Sequence, residues 1–131
     1  AVVEVGLIEI IADAALRLTG GDMTLTSLLL IWFSAFASGI VDNIPYTATM
    51  IPIVKNLTQA MPGNTLWWSL ALGADLGGNL TLVGAAANVV VASLAEKSGH
   101  PISFGRFLKY GVITTVMSLI IASGYVWLVY L

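Results

Sequence analysis

Apolar residues run in long blocks along this chain, and the few charged positions separate them. Met23–Val41, Asn56–Ala74, Leu76–Ala95 and Tyr110–Leu131 carry no charged residue. Each block is near the ~20 residues that a membrane-spanning helix needs. The first segment, Ala1–Leu18, predicts a helix with a polar stripe. Glu9, Asp13 and Arg17 recur every four residues and share a face, with Glu4 nearby, and Asp13 and Arg17 can pair. Gly20-Gly21-Asp22 predicts a turn.

Thr24–Val41 is the next helix, with small residues (Ser34, Ala35, Ala37, Ser38, Gly39) in its second half that permit close helix packing. It stops at Asp42-Asn43-Ile44-Pro45, because proline lacks an N–H and restricts the residue before it. A second arm then starts with Pro45 at its first position and Asn43 or Ile44 at the cap, and runs to Leu57 with a kink at Pro52. That arm is about 18 Å long, too short for a ~30 Å hydrocarbon core. One continuous helix over Thr24–Leu57 would be about 51 Å, too long. The pattern therefore predicts a re-entrant hairpin over residues 24–57, tipped by Asp42–Pro45, with both ends on one side.

Thr58–Asn64 is a short polar turn. Residues 65–95 then form a transmembrane helix broken at Asp75-Leu76-Gly77-Gly78-Asn79. Glycine costs about 1 kcal/mol per helical position, so the pair invites unwinding. The arms are Thr65–Ala74, about 15 Å, and Leu80–Ala95, about 24 Å. Residues 96–109 form a loop and Tyr110–Leu131 a final spanning helix.

Composition narrows the class. Of 131 residues 58% are hydrophobic and only 9% charged, against roughly 25% charged in a soluble domain. With mean hydropathy +0.95, too little polar surface remains to cover a soluble core. The expected fold is an all-α, multi-pass membrane protein in the cell inner or plasma membrane, with the lipid bilayer as its surroundings. Without cysteine there is no disulfide or thiolate metal site. No secretory signal is recognisable, and a further N-terminal half is expected to complete the molecule. The Glu96–Lys109 loop holds Lys97, Arg106 and Lys109, three of the five Lys and Arg residues, and is expected on the cytoplasmic side. Its His100 reads as an ordinary loop residue. No nucleic-acid patch, phosphate loop or zinc spacing is present.

The candidate chemistry sits at the two breaks. Meeting near the midplane, they would bring together Asp42, Asn43, Asp75 and Asn79, with Thr47, Thr49 and Thr81 close by and the Gly77-Gly78 backbone unwound between them. An ionisable residue inside a membrane costs about 2.5–3.5 kcal/mol or more, so two at helix breaks point to function. Helix C-termini, carboxylates and Asn or Thr oxygens suit a hard cation, with a sodium site expected at Asp42, Asn43 and Asn79 and no other cofactor. Helix N-termini suit an anion or an oxygen-rich solute. The plainer alternative has these side chains capping each other's helix ends. Gly73-x-x-x-Gly77 also fits a small-residue packing motif.

Val41–Val54 (VDNIPYTATMIPIV) resembles the hairpin-tip motif of the ion transporter superfamily that includes arsenite efflux pumps, sodium/proton antiporters, citrate carriers and the P protein. Leu76–Val90 (LGGNLTLVGAAANVV) resembles its broken-helix motif, and Glu96–Gly111 is similar to the loop after it in P-protein-like members. The resemblance covers roughly Leu25 to Tyr110. It implies that the chain is most of the second of two inverted repeats, with Asp42, Asn43, Thr47, Asn79, Thr81 and Asn88 lining the site. Sodium/dicarboxylate symporters of the same broad group carry Ser-Asn-Thr at the tip, where this chain has Asp42, Asn43 and Ile44. The added negative charge disfavours a multiply charged anion and favours a cation or proton coupling. The expected function is secondary active transport of an ion, oxyanion or organic anion coupled to proton or sodium, of arsenite-pump or sodium/proton-antiporter type, and not catalysis. A homodimer is compatible with that expectation. The competing classes are an intramembrane aspartyl protease with an Asp42/Asp75 dyad and a non-transporting assembly subunit.

Overall fold

The computed structural model describes residues 6–131, so Glu4 lies outside the described part. The described residues form helices without a strand: α1 (Leu7–Thr19), α2 (Met23–Ile40), α3 (Asn43–Ala60), α4 (Thr65–Gly77), α5 (Ala86–Lys97) and α6 (Phe104–Tyr130). The first turn follows from glycine. Gly20 and Gly21 have φ of 61° and 74°, a left-handed conformation that costs glycine little. Asp22 then caps α2 by accepting a hydrogen bond from the Leu25 N–H at 2.7 Å.

The small residues of α2 decide the centre of the fold. Gly73 of α4 lies on Ile31 and Ser34, and Gly77 lies on the backbone of Ala35, so α2 and α4 run parallel in close contact. Any Cβ at Gly77 would enter the Ala35 backbone. The Ser38 hydroxyl crosses this seam and donates to the Ala74 carbonyl at 2.6 Å. Such an approach of two backbones is what small side chains allow in an apolar medium.

α3 returns from the end of α2 and packs on α1 and α4. Ile8 and Ala12 of α1, Met50, Val54 and Leu57 of α3, and Leu66 and Leu70 of α4 share one apolar core. A buried hydrogen bond of 3.0 Å from the Tyr46 hydroxyl to Ser34 Oγ ties α3 to α2. α6 runs antiparallel to α4. Gly111, in its first half, lies against the Asn79 and Leu80 carbonyls, and Tyr130 at its far end stacks on Trp68, with ring centroids 6.0 Å apart. Trp32 Nε1 on α2 donates to Ser123 Oγ on α6 at 3.2 Å.

Among the described residues two helices, α2 and α6, are long and apolar enough to cross a membrane. The outward face of α6 is apolar along its length, with Ile113, Met117, Ile120, Ile121 and Leu128 all exposed. A contiguous apolar face of this kind is unfavourable in water and suits lipid. α5 buries none of its residues against the chain and exposes Val89, Val90, Val91 and Leu94.

Element bounds differ from the sequence expectation in several places. α3 begins at Asn43, with Asp42 as its cap, and not at Pro45. Pro45 stands third in the helix, where a missing N–H costs nothing because first-turn N–H groups have no partner. α3 also runs through Pro52 to Ala60, giving 18 residues or about 27 Å where about 18 Å was expected. The central interruption starts later and is longer. α4 continues through Asp75 and Gly77, and the next helix starts at Ala86, not Leu80. The last helix starts at Phe104, because Ser103 caps it by accepting from the Arg106 N–H at 3.3 Å. Only residues 98–103 therefore separate α5 from α6, and Arg106 and Lys109 are helical.

Candidate functional site

The interruption over residues 78–85 is a chain of tight turns. Gly78, Asn79 and Leu80 donate in succession to the carbonyls of Asp75, Leu76 and Gly77, and Gly84 donates to Thr81. Each bond spans three residues, so the α-helix tightens and unwinds as it leaves α4. This non-helical backbone is held from both sides. Leu80 packs on Gly39 in the last turn of α2, and a Cβ at Gly84 would press on the backbone of Gly78 and Gly39. Gly111 of α6 closes the other side.

Two polar side chains satisfy backbone groups that the interruption leaves open. The Thr81 hydroxyl donates to the Gly39 carbonyl in a short, buried bond. Gly39 is in the final turn of α2, where carbonyls lack an intrahelical partner. The Asn88 amide, in the first turn of α5, donates to the Gly78 carbonyl at 2.8 Å and the Thr81 carbonyl at 3.0 Å. Thr81 and Asn88 thus act on backbone carbonyls and hold the shape of the interruption.

The tip follows directly. Asp42 lies three residues after Gly39, so tip and interruption are neighbours at one end of α2. The Asp42 carboxylate accepts from the Ile44 N–H at 3.2 Å and caps α3. Asp42, Asn43 and Thr47 are half-buried at the start of α3. Asn79 is exposed on the interruption.

Three of the sequence candidates stand apart from this arrangement. Asp75 is helical and exposed on the last turn of α4, not on unwound backbone. Thr49 is exposed and donates to the Pro45 carbonyl of its own helix at 2.9 Å. Gly77 serves the seam with Ala35, which resolves the Gly73-x-x-x-Gly77 motif as packing. Gly78 contributes its carbonyl to Asn88 and not to an open cavity. No group of three or more His, Cys, Asp or Glu able to hold a metal occurs among the described residues. A sodium ion at Asp42, Asn43 and Asn79 would draw on side-chain amides and backbone carbonyls beside one carboxylate.

Sequence reasoning passed over one feature. A cleft of about 780 Å³ opens beside Asn79, lined also by His100, Arg106, Tyr110 and Thr114. No local motif marks it, because it forms only when α6 folds back along the interruption.

The chain matches the citrate transporter family CitMHS over residues 1–131. It belongs to that family. Its sequence is similar to an uncharacterized transporter of Mycobacterium tuberculosis, 52% identical over 99% of this chain and 31% of the relative. A 46 kDa membrane protein of Mycobacterium leprae is 49% identical over all of this chain and 32% of its own length. The P protein of Mus musculus is 49% identical over 75% of this chain and 12% of the relative. The chain spans about a third of the mycobacterial relatives. No solved structure matches it. Membership and these names agree with the ion transporter resemblance read from the tip and broken-helix motifs.

Proposed function

We propose that this chain is the second-repeat portion of a secondary active transporter, with the Asp42–Pro45 tip and the 78–85 interruption forming half of its solute and ion site. The observation that carries this reading is the clamp of non-helical backbone between Gly39 and Gly111, beside a tip that holds a carboxylate. Irregular backbone at membrane depth survives where protein or a water-lined cavity satisfies its polar groups, and such places are where ions and solutes bind. Thr81 and Asn88 supply that satisfaction, leaving Asn79 and the tip residues Asp42, Asn43 and Thr47 to meet the cargo.

In this reading α2 and α3 form a hairpin that enters and leaves the bilayer on the same side, with Asp42–Pro45 at its tip. The missing repeat completes the site, and the basic region around Arg106 and Lys109 faces the cytoplasm. Asp42 adds a fixed negative charge at the tip, which favours cation or proton coupling of the sodium/proton-antiporter or arsenite-pump type. A second reading, transport of citrate or a related organic anion coupled to proton or sodium, is favoured by the family description. Family membership speaks for either over the aspartyl protease and the assembly subunit. The test is flux through the purified full-length protein in proteoliposomes containing a pH dye. Sodium or lithium pulses that change internal pH support antiport, and uptake of labelled citrate supports the second reading. A protein that inserts and folds but moves neither would refute both.

A further inference from the structure

The tip end of α3 is anchored by one side chain. Among residues 43–49 only Tyr46 is buried, at 9% exposure, whereas Ile44 is 75% exposed and Pro45 and Thr49 are exposed too. The other buried residues of this helix, Met50, Ile53, Val54 and Leu57, lie further along and hold its far end. The half-buried tip residues Asp42, Asn43 and Thr47 therefore take their orientation from Tyr46. Asp42 and Tyr46 stand one helical turn apart, and the Tyr46 N–H donates to the Asp42 carbonyl at 3.2 Å. Thr47 follows Tyr46 directly, and Asn43 shares a face with Thr47 one turn before it.

The Tyr46 hydroxyl ends on a fixed partner. It donates to Ser34 Oγ at 3.0 Å, and Ser34 is wholly buried. Ser34 lies on the seam with α4, where a Cβ at Gly73 would come within 2.8 Å of the Ser34 Cβ. One turn further along α2, Ser38 donates to the Ala74 carbonyl, and the next residue, Gly39, offers its carbonyl to Thr81. Three neighbouring points on α2 thus fasten the tip arm, α4 and the interruption. Through α2, the phenol of Tyr46 sets the tip residues against the interruption that carries Asn79.

We propose that Tyr46 is a positioning residue, whose hydroxyl bond to Ser34 fixes the rotation of the first turn of α3 and so the geometry that Asp42, Asn43 and Thr47 present to the cargo. The inference rests on the reading of the tip as part of the solute and ion site. It adds to that reading the residue that orients the site. A binding site needs its contacting groups held to about 0.5 Å by packing and by supporting hydrogen bonds, and Tyr46 supplies both. Rotation or fraying of that first turn carries the Asp42 carboxylate and its two neighbours off position. More cargo is then needed to fill the site, although no contacting group has been removed.

The test measures flux through the full-length protein in proteoliposomes, as internal pH after sodium pulses and as labelled citrate uptake, together with hydrogen exchange of the same protein without cargo. Tyr46→Phe removes only the hydroxyl, and Ser34 is then free to bond a carbonyl of its own helix. This variant is expected to fold. It should raise the sodium or citrate concentration for half-maximal flux about threefold to tenfold, the ratio that one hydrogen bond supplies, and leave the maximal rate within about twofold. Exchange should quicken across residues 43–47 and not across residues 53–57. Ser34→Ala should shift the half-maximal concentration in the same direction and lower the melting temperature further, because it strands a buried phenol hydroxyl. Combining Tyr46→Phe with Ser34→Ala should be no worse in half-maximal concentration than either alone, and should melt above Ser34→Ala.

A wild-type half-maximal concentration in a folded Tyr46→Phe would overturn the proposal and leave the transporter reading standing. So would additive effects of the two substitutions, which would separate Tyr46 from Ser34. A lower maximal rate at an unchanged half-maximal concentration, with faster exchange along the whole of α3, would reduce the bond to a general tie between helices and overturn it too. A wild type that moves neither sodium for protons nor citrate defeats the transporter reading instead. Exchange across residues 43–47 then decides whether Tyr46 holds the tip, and unchanged exchange in Tyr46→Phe shows that it does not.

Discussion

Thr81 donates its hydroxyl hydrogen to the carbonyl of Gly39, forty-two residues away, and so joins the interrupted helix to the final turn of α2. The bond is buried, and the carbonyl has no helical partner of its own. Thr81→Val keeps the shape and removes the donor. It is expected to cost about 1–3 kcal/mol, the penalty of a buried polar group left unpaired, while Thr81→Ser should restore most of it. Thermal unfolding of the two variants in one detergent compares them directly.

Asn88 makes two such bonds, to the Gly78 and Thr81 carbonyls. Asn88→Asp preserves the side-chain outline but sets acceptor oxygens against acceptor carbonyls. It should lower both stability and transport, with hydrogen exchange rising across residues 78–85. Unchanged exchange there would show that the amide does not hold the interruption.

The seam between α2 and α4 depends on Gly77. Gly77→Ala places a methyl group on the Ala35 backbone and forces the helices apart. Overpacking of this kind costs about 1–3 kcal/mol, and more where backbone must move. Gly124→Ala on α6 meets open space and should match the wild type. The yield and melting temperature of the folded protein check both.

The Thr115 hydroxyl is buried and has no hydrogen-bond partner among the described residues. Thr115→Val replaces that hydroxyl with a methyl group and removes the desolvation cost. The melting temperature should stay level or rise, in contrast to the loss at Thr81, although both substitutions have the same chemistry. A fall at Thr115 similar to that at Thr81 would mean that its hydroxyl is satisfied by a group from another segment of the protein.

The two breaks were legible because proline and glycine act through local backbone chemistry. Pro45 marks the end of α2 to within a few residues, and Gly77-Gly78 marks where α4 fails. The precise ends were not legible, because they depend on distant partners. Gly77 stays helical since its packing on Ala35 offsets its poor propensity. Leu80–Ala85 stays unwound since Asn88 bonds the Gly78 and Thr81 carbonyls that a continuing helix would have used, while Thr81 is drawn to the Gly39 carbonyl of α2. The polar run after Leu57 reads as a turn, yet Thr58, Gln59 and Ala60 complete α3, since exposed polar residues do not oppose a helix. At the site, the motifs single out Thr81 and Asn88, but their bonds to the Gly39, Gly78 and Thr81 carbonyls depend on the folded backbone and cannot be read from spacing. The cleft with Arg106 was invisible because it exists only between α6 and the interruption.

Asp42 tests the central claim most directly. Its carboxylate caps α3, and asparagine caps a helix about as well, so Asp42→Asn leaves the fold while removing the charge. The measurement is coupled flux in proteoliposomes of the full-length protein, recorded as internal pH after sodium or lithium pulses and as labelled citrate uptake under imposed proton or sodium gradients. The account predicts coupled flux in the wild type and its loss in an Asp42→Asn variant that inserts and melts like the wild type. Equal coupled flux in the two proteins would contradict it, reducing Asp42 to a helix cap and moving the coupling site away from the tip.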